Sequence, residues 1–223
     1  MNAVHQIIPL EHVASFLKNG FYFAPGRTFI DQLEFRFGYC GYKTGSRWPA
    51  MDQCVRDTFS DDSVNNLINT TSVSCWTEDP MERYAMWEIY GRREASIRVS
   101  IDRKELTDLV RQKTGLSGMS GSVRYNFFTS SVRPEFLEPF NLLPETHRND
   151  YLHLFFHKHD FYRFEDEFRV IVVSENCVTV PFDQTLVTSA TISPFGTFKE
   201  EVIAELKAQF GGRIKPSSLS TPY

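Results

Sequence analysis

Four consecutive residues, Val170-Ile171-Val172-Val173, constrain this chain's fold more tightly than any other stretch. So short and apolar a run reads as a strand buried on both faces, which demands cover on each side of its sheet. Just ahead of it stand Phe164-Glu165-Asp166-Glu167-Phe168-Arg169, placing three carboxylates and a guanidinium at the mouth of the buried strand. If residues 165 to 170 are extended, Glu165, Glu167 and Arg169 share one side, while Asp166, Phe168 and Val170 take the other. Two readings stay open for the block: a structural ion pair in which Arg169 neutralises a neighbouring carboxylate, and a site that uses the carboxylates.

With 223 residues, 41% of them hydrophobic, the chain can bury a full core as one domain spanning residues 1–223. Its twenty Phe predict a core packed largely with rings. A formal charge of −4, with Lys and Arg scattered, gives no footprint for non-specific duplex binding, although a local nucleic-acid groove stays open. Cys40, Cys54, Cys75 and Cys177 are far apart, form no CxxC pair and follow no signal-peptide-like segment. They read as reduced thiols of a cytoplasmic protein. No apolar run approaches the ~20 residues that cross a bilayer, so a membrane is not an expected partner.

Leu10 to Lys18 has helical spacing and stops at Asn19-Gly20, and a short strand follows at Phe21-Tyr22-Phe23. Arg27 to Gly45 mixes aromatic, acidic and glycine residues without a clear period and reads as a functional or irregular loop region. A short helix is expected over Asp61 to Asn69, then a strand over Ser72 to Thr77. Asp79-Pro80-Met81-Glu82 has the composition of a helix start, predicting a helix that runs to Tyr90 and stops at Gly91. Ala95 to Ile101 alternates as a half-buried strand, and Arg103 to Gln112 is an amphipathic helix. Gly115 to Gly121 reads as a flexible loop leading into a strand over Ser122 to Phe128. A helix over Arg148 to His157, strands near Val178 to Phe182 and Leu186 to Ile192, a helix over Lys199 to Phe210 and a last short strand around Ile214 complete the pattern. Helices and strands interspersed without a βαβ rhythm predict an α+β fold, with a mixed, mostly antiparallel central sheet flanked by helices.

A second block carries chemistry. The expected strand puts Ser72, Ser74 and Trp76 on one face, and the expected helix places Tyr84, Trp87 and Tyr90 at i, i+3 and i+6. Such a ring stripe suits a core as well as a pocket. Cys75 points the other way, and as a nucleophile it would need a base that the sequence does not locate.

The ordered pieces Ser74-Cys75-Trp76-Thr77, Tyr84-Ala85-Met86-Trp87-Glu88-Ile89-Tyr90, Ser96-Ile97-Arg98-Val99-Ser100, Val123-Arg124-Tyr125 and Phe156-His157-Lys158 with Phe164 to Arg169 resemble a widespread bacterial family of uncharacterised function. That family has a Cys-Trp strand, a Met-Trp-x-x-Tyr helix and a Glu-x-Glu-x-Arg block. The resemblance covers roughly residues 70 to 175 and departs from the family pattern around Asp31 and Glu34, where Gln32-Leu33 replaces Pro-Phe.

More distantly, the order His5 or Arg27, then Ser72-Val73-Ser74, then Glu165-Asp166-Glu167 is similar to that of ADP-ribosyltransferases. This similarity implies NAD as co-substrate and a protein or nucleic-acid acceptor. Glu167 would stabilise positive charge on the ribose as the nicotinamide bond breaks, and Glu165 would activate the acceptor. Ser72 or Ser74 would brace the ribose, Arg27 or His5 would hold a diphosphate, and Trp76, Tyr84 or Trp87 would stack on nicotinamide. A bacterial toxin or anti-phage effector is the role this implies.

Two other classes remain. Asp31, Glu34, Glu165 and Glu167 could hold Mg²⁺ or Mn²⁺ for phosphodiester cleavage beside Lys158. His147, His153, His157 and His159 form a cluster in which His153 and His157, at i and i+4, could ligate Zn²⁺. Alternatively, Trp76, Trp87 and Arg169 could build a non-catalytic pocket for a nucleotide or protein partner. The oligomeric state is not legible.

Overall fold

Stretches of period 2 and period 3.6 interleave along the chain, and the computed structural model, which describes residues 2–29, 35–36, 40, 48–125, 137–141 and 152–220, assembles them into the expected α+β fold. Its elements are β1 (Ala3–Pro9), α1 (Leu10–Asn19), β2 (Phe21–Pro25), α2 (Trp48–Thr58), α3 (Asp62–Asn69), β3 (Thr71–Thr77), α4 (Tyr84–Tyr90), β4 (Ser96–Asp102), α5 (Arg103–Thr114), β5 (Gly118–Ser122), β6 (Glu138–Phe140), β7 (Glu167–Val173), β8 (Val178–Val180), β9 (Val187–Ile192), α6 (Glu200–Phe210) and β10 (Ile214–Pro216). The sheet is mixed and mostly antiparallel: β9 and β10 run parallel, and the pairs β1–β4, β4–β9, β2–β3, β5–β6 and β5–β7 run antiparallel. Among the described residues no helix is long and apolar enough to cross a membrane.

Two compact units make up the chain. The first comprises Met1–Phe21, Trp76–Lys113 and Thr179–Tyr223, the second Tyr22–Cys75 and Thr114–Val178. Each unit is discontinuous in sequence.

In the first unit β4 lies between β1 and β9, with His5 opposite Ser100, Ile7 opposite Arg98 and Val99 opposite Ala190. The alternation of β4 predicts a half-buried strand, yet Ser96, Arg98 and Ser100 are buried along with Ile97, Val99 and Ile101. Its polar face is covered too, and hydrogen bonds make that tolerable: Ser100 Oγ lies 2.8 Å from His5 Nδ1 and accepts from Ser189 Oγ at 3.0 Å. The ring-rich core is present, with Phe182 stacked on Phe16 and Phe21 at centroid distances of 5.1 and 4.4 Å. The helix expected from Asp79 begins only at Tyr84. Asp79 spends its carboxylate on Met81 N–H, at 2.9 Å, and on Arg83, which closes a turn instead of opening a helix. Glu82 is drawn away to Ser217 and Ser218 N–H.

In the second unit β5 pairs with β7 on one side and β6 on the other. Glycine and serine composition predicts a flexible loop here, and the structure has a strand. A Cβ at Gly118 would stand 2.2 Å from Ile171 O and 2.5 Å from the Phe140 ring, so glycine is what lets three elements close on that point. The strand expected over Ser122 to Phe128 ends at Ser122, and residues 126–128 lie outside the described residues. The described part of the helix expected over Arg148 to His157 is a 3₁₀ turn, Leu152–Phe156. One core cluster joins Phe35, Val64, Ile68, Val73, Leu152, Leu154, Phe155, Phe156 and Ile171. Asp61 caps α3, accepting from Ser63 N–H at 2.9 Å and Val64 N–H at 3.3 Å, and so presents Val64 and Ile68 to that core.

Candidate functional site: a buried ion-pair network behind an arginine-lined cleft

The acidic block is not extended throughout. A 3₁₀ turn, Asp160–Glu165, ends at Asp166 in the left-handed region with φ 42°, and the strand starts at Glu167. Both glutamates nevertheless converge on one cation. Lys158 Nζ lies 2.5 Å from Glu165 Oε2 and 3.4 Å from Glu167 Oε2. Arg169 grips Glu167 with both arms of its fork, Nε to Oε1 at 2.7 Å and a terminal nitrogen to Oε2 at 2.9 Å. Its other terminal nitrogen donates to Phe155 O. Tyr125 Oη accepts from Glu167 N–H at 2.8 Å, and the Cys75 thiol donates to the Glu167 carboxylate.

Every one of the four charges is buried: Lys158 is 7% exposed, Glu165 5%, Glu167 4% and Arg169 0%. Burial alone would raise the Glu167 carboxyl. The charges of Arg169 and Lys158, with hydrogen bonds from Arg169 and Cys75, outweigh it and hold the group down at about 2. A carboxylate held that low is a poor proton acceptor near neutral pH. Its two oxygens already accept from Arg169 and Lys158, the geometry of a buried ion pair. His157, partly buried nearby, is lowered to about 4 by burial and by the charges of His153, Arg124 and Arg169.

β3 runs beside β7. Val73 and Ile171 belong to one core cluster, with Cys75 and Val173 packed against it, so these four share the face of Glu167 and Arg169. Ser72 and Ser74, one residue out of phase, sit on the opposite face of the sheet. Ser72 Oγ donates to Asn176 O at 2.9 Å and Ser174 O at 3.4 Å, stitching the end of β7 to β3. The structure therefore pairs Glu167 with Cys75 and leaves both serines on the other side.

Behind the network lies Phe35, whose ring centroid is 5.5 Å from the Arg169 guanidinium carbon. Phe35 packs on Phe155 at 4.4 Å and on Phe29 at 5.1 Å, forming a three-ring wall. On the far side of that wall opens a cleft of about 170 Å³, lined by Gly26, Arg27, Phe29, Phe35, Arg36, Asn65, Ile68 and Asn69. Arg27, exposed on the 3₁₀ turn Gly26–Thr28, donates to Glu175 O at 2.7 Å and Asn69 O at 3.5 Å through a single nitrogen. Arg36 is 8% exposed. It donates to Thr58 O at 2.6 Å and Asn65 Oδ1 at 2.9 Å and sits 4.4 Å from the Phe59 ring centroid. Its Nε is buried and makes no hydrogen bond among the described residues. Among the described residues neither guanidinium has a carboxylate partner. Of the cleft's residues only Arg27 stands out in the sequence; Arg36, Phe29, Asn65 and Asn69 lie in stretches without a period or in an ordinary capped helix.

The first unit holds the remaining residues singled out by sequence. Trp76 is buried edge-on against Phe21 at 5.2 Å. Trp87 is 1% exposed, whereas Tyr84 is 47% exposed, packing on Phe195 and accepting from Arg93 at 3.1 Å. The stripe is thus split between core and surface. His5 is buried, lowered to about 4 by burial and then by the charge of Arg98. Asp31, Glu34 and His147 lie outside the described residues. His153 and His157 have ring centroids 6.2 Å apart, and among the described residues no group of three metal-binding side chains forms. Comparison with protein-family models, curated proteins and solved structures finds no match to this chain.

Proposed function

We propose that this chain is a binding module for a phosphate-bearing small molecule, held between Arg27 and Arg36 in the cleft of the second unit. The carrying observation is Arg36, a residue more than nine-tenths buried whose Nε has no hydrogen-bond partner among the described residues, at the wall of a cleft. Burying a cation with no counter-charge among the described residues is costly, and an anionic ligand in the cleft supplies the missing charge. Arg27 lines the same cleft, and among the described residues only one of its nitrogens donates a hydrogen bond. Planar forks of this kind suit the oxygens of a phosphate.

Catalysis by Glu167 draws less support, because transfer from NAD asks that carboxylate to face a ribose while Arg169 and Lys158 occupy it. Calorimetric titration of the full chain with inorganic phosphate and phosphate monoesters tests the binding reading. Saturable binding, weakened about tenfold by Arg27→Gln, is expected, a loss of ~1.4 kcal/mol. Heat of dilution alone, or affinity unmoved by Arg27→Gln, counts against it. Release of nicotinamide from NAD, abolished by Glu167→Gln in a protein that stays folded, would favour the transferase reading instead.

A further inference from the structure

Building on that phosphate seat, we infer that the ligand is a mononucleotide, with its base laid on Phe29 and its edge read by Asn69. Polar and aromatic groups in the cleft are segregated in the way such a ligand requires. The guanidinium groups of Arg27 and Arg36 supply positive charge, and among the described residues no carboxylate lines the cleft. Phe29, partly buried, offers the accessible ring surface, while Phe35 behind it is 5% exposed and fixed by Phe155. A ring backed by Phe35 and Phe155, with Arg169 against Phe35, is held in place before any ligand arrives, so stacking on it costs little ordering. Stacking of a base on an aromatic ring is tolerant of base identity and is worth roughly tenfold or more in affinity.

The two asparagines differ in a way that assigns their roles. Asn65 is used at both ends: Oδ1 accepts from Arg36, and Nδ2 donates to Phe59 O at 3.1 Å. It positions Arg36. Asn69 lines the cleft too, is exposed, and among the described residues its side-chain amide makes no hydrogen bond. One donor and one acceptor on a planar amide match the edge of a base. Gly26 keeps these groups together: a Cβ there would stand 2.7 Å from Ile68 O, so only glycine lets the turn carrying Arg27 lie against the end of α3 that carries Asn69.

Size decides between one nucleotide and two. A cleft of about 170 Å³ lies below the ~300 Å³ at which drug-sized pockets begin. A mononucleotide can seat its phosphate and stack its base at the mouth. A dinucleotide such as NAD would leave half of itself outside.

Titration of the full chain with AMP, UMP, adenosine, inorganic phosphate and NAD tests this. AMP or UMP should bind at least tenfold more tightly than phosphate or adenosine, and NAD no more tightly than AMP. Phe29→Leu should bring nucleotide affinity down towards that of phosphate while leaving phosphate binding unchanged. Asn69→Ala, an exposed change, should weaken the nucleotide several-fold and phosphate not at all, and unaltered thermal melting would show that both variants fold. Phosphate binding as tight as AMP and UMP would overturn the mononucleotide assignment and leave the phosphate seat intact. NAD binding tighter than AMP would overturn it as well. Absence of binding by every compound would remove both readings.

Discussion

Glu167 and Arg169, two residues apart on one face of β7, form a two-pronged ion pair with contacts of 2.7 and 2.9 Å, and the arginine is wholly buried. Lys158 adds a second cation and Glu165 a second carboxylate, so the group is neutral as a set. Neutrality and saturation of the donors make four buried charges tolerable. The consequence for function is spatial: the network stands behind Phe35, so it supports the wall of the cleft and does not line it.

Glu167→Gln should therefore be a stability variant. It leaves Arg169 and Lys158 with one carboxylate between them, and breaking a buried pair from one side costs about 3–5 kcal/mol. Urea denaturation followed by far-UV circular dichroism measures this. A loss below about 1 kcal/mol would mean that the pair is exposed or replaceable and would return Glu167 to the list of reactive groups.

Acid should destabilise the protein in two windows. His5 and His157 have folded values near 4, below the 6.5 of an unperturbed histidine, so the native state holds them neutral. Their contribution is intact above pH 6.5 and is lost as pH falls towards 4. Glu167 is depressed from 4.5 to about 2, so its contribution is present above 4.5 and lost as pH falls towards 2. Each histidine is worth up to roughly 3 kcal/mol at its acid limit. Denaturation midpoints from pH 8 to pH 3 should fall from pH 6.5 downwards, and His5→Asn should flatten the upper window. A midpoint constant from pH 7 to pH 4.5 would contradict the histidine assignment.

Where a local pattern had one physical meaning, the sequence was legible. The β-branched run at 170–173, the capped α3 and the sheet class all follow from periodicity and side-chain chemistry. The Glu-x-Glu-x-Arg block is legible as an ion pair or a site, and the sequence does not show that Lys158, seven and nine residues upstream of its partners, joins it. The alternation of the Ser-Cys-Trp strand gives its two faces but not its neighbour: pairing with β7 puts Cys75, and not Ser74, beside Glu167. The cleft was almost invisible. Its residues come from a turn, an aperiodic stretch and one helix end, and a binding surface formed by tertiary packing leaves no spacing to read.

Gly118 illustrates the opposite error, composition taken for flexibility. It sits opposite Val172 and Phe140 in the middle of a three-strand arrangement. Gly118→Ala would push a methyl against Ile171 O and the Phe140 ring, and overpacking of this kind costs about 1–3 kcal/mol. A loop would accept the change or gain from it. Thermal melting separates the two: a lowered midpoint is expected, and an unchanged or raised one would mean that β5 is not held as described.

Ser72→Ala and Arg27→Gln together separate scaffold from site. Ser72 Oγ spends itself on the carbonyls of Asn176 and Ser174, and its removal should cost about 1 kcal/mol, the net worth of a neutral hydrogen bond, without altering phosphate affinity. Arg27 is exposed and makes its bonds through one nitrogen, so Arg27→Gln should change stability by about 1 kcal/mol or less. The same substitution removes half of the positive charge offered to a phosphate and should weaken binding about tenfold, or ~1.4 kcal/mol. Paired denaturation and titration of the two variants checks both halves. If Ser72→Ala were the one to lose ligand, the opposite face of the sheet would hold the site, and the serine strand would regain the ribose-bracing role that its order in the chain suggests.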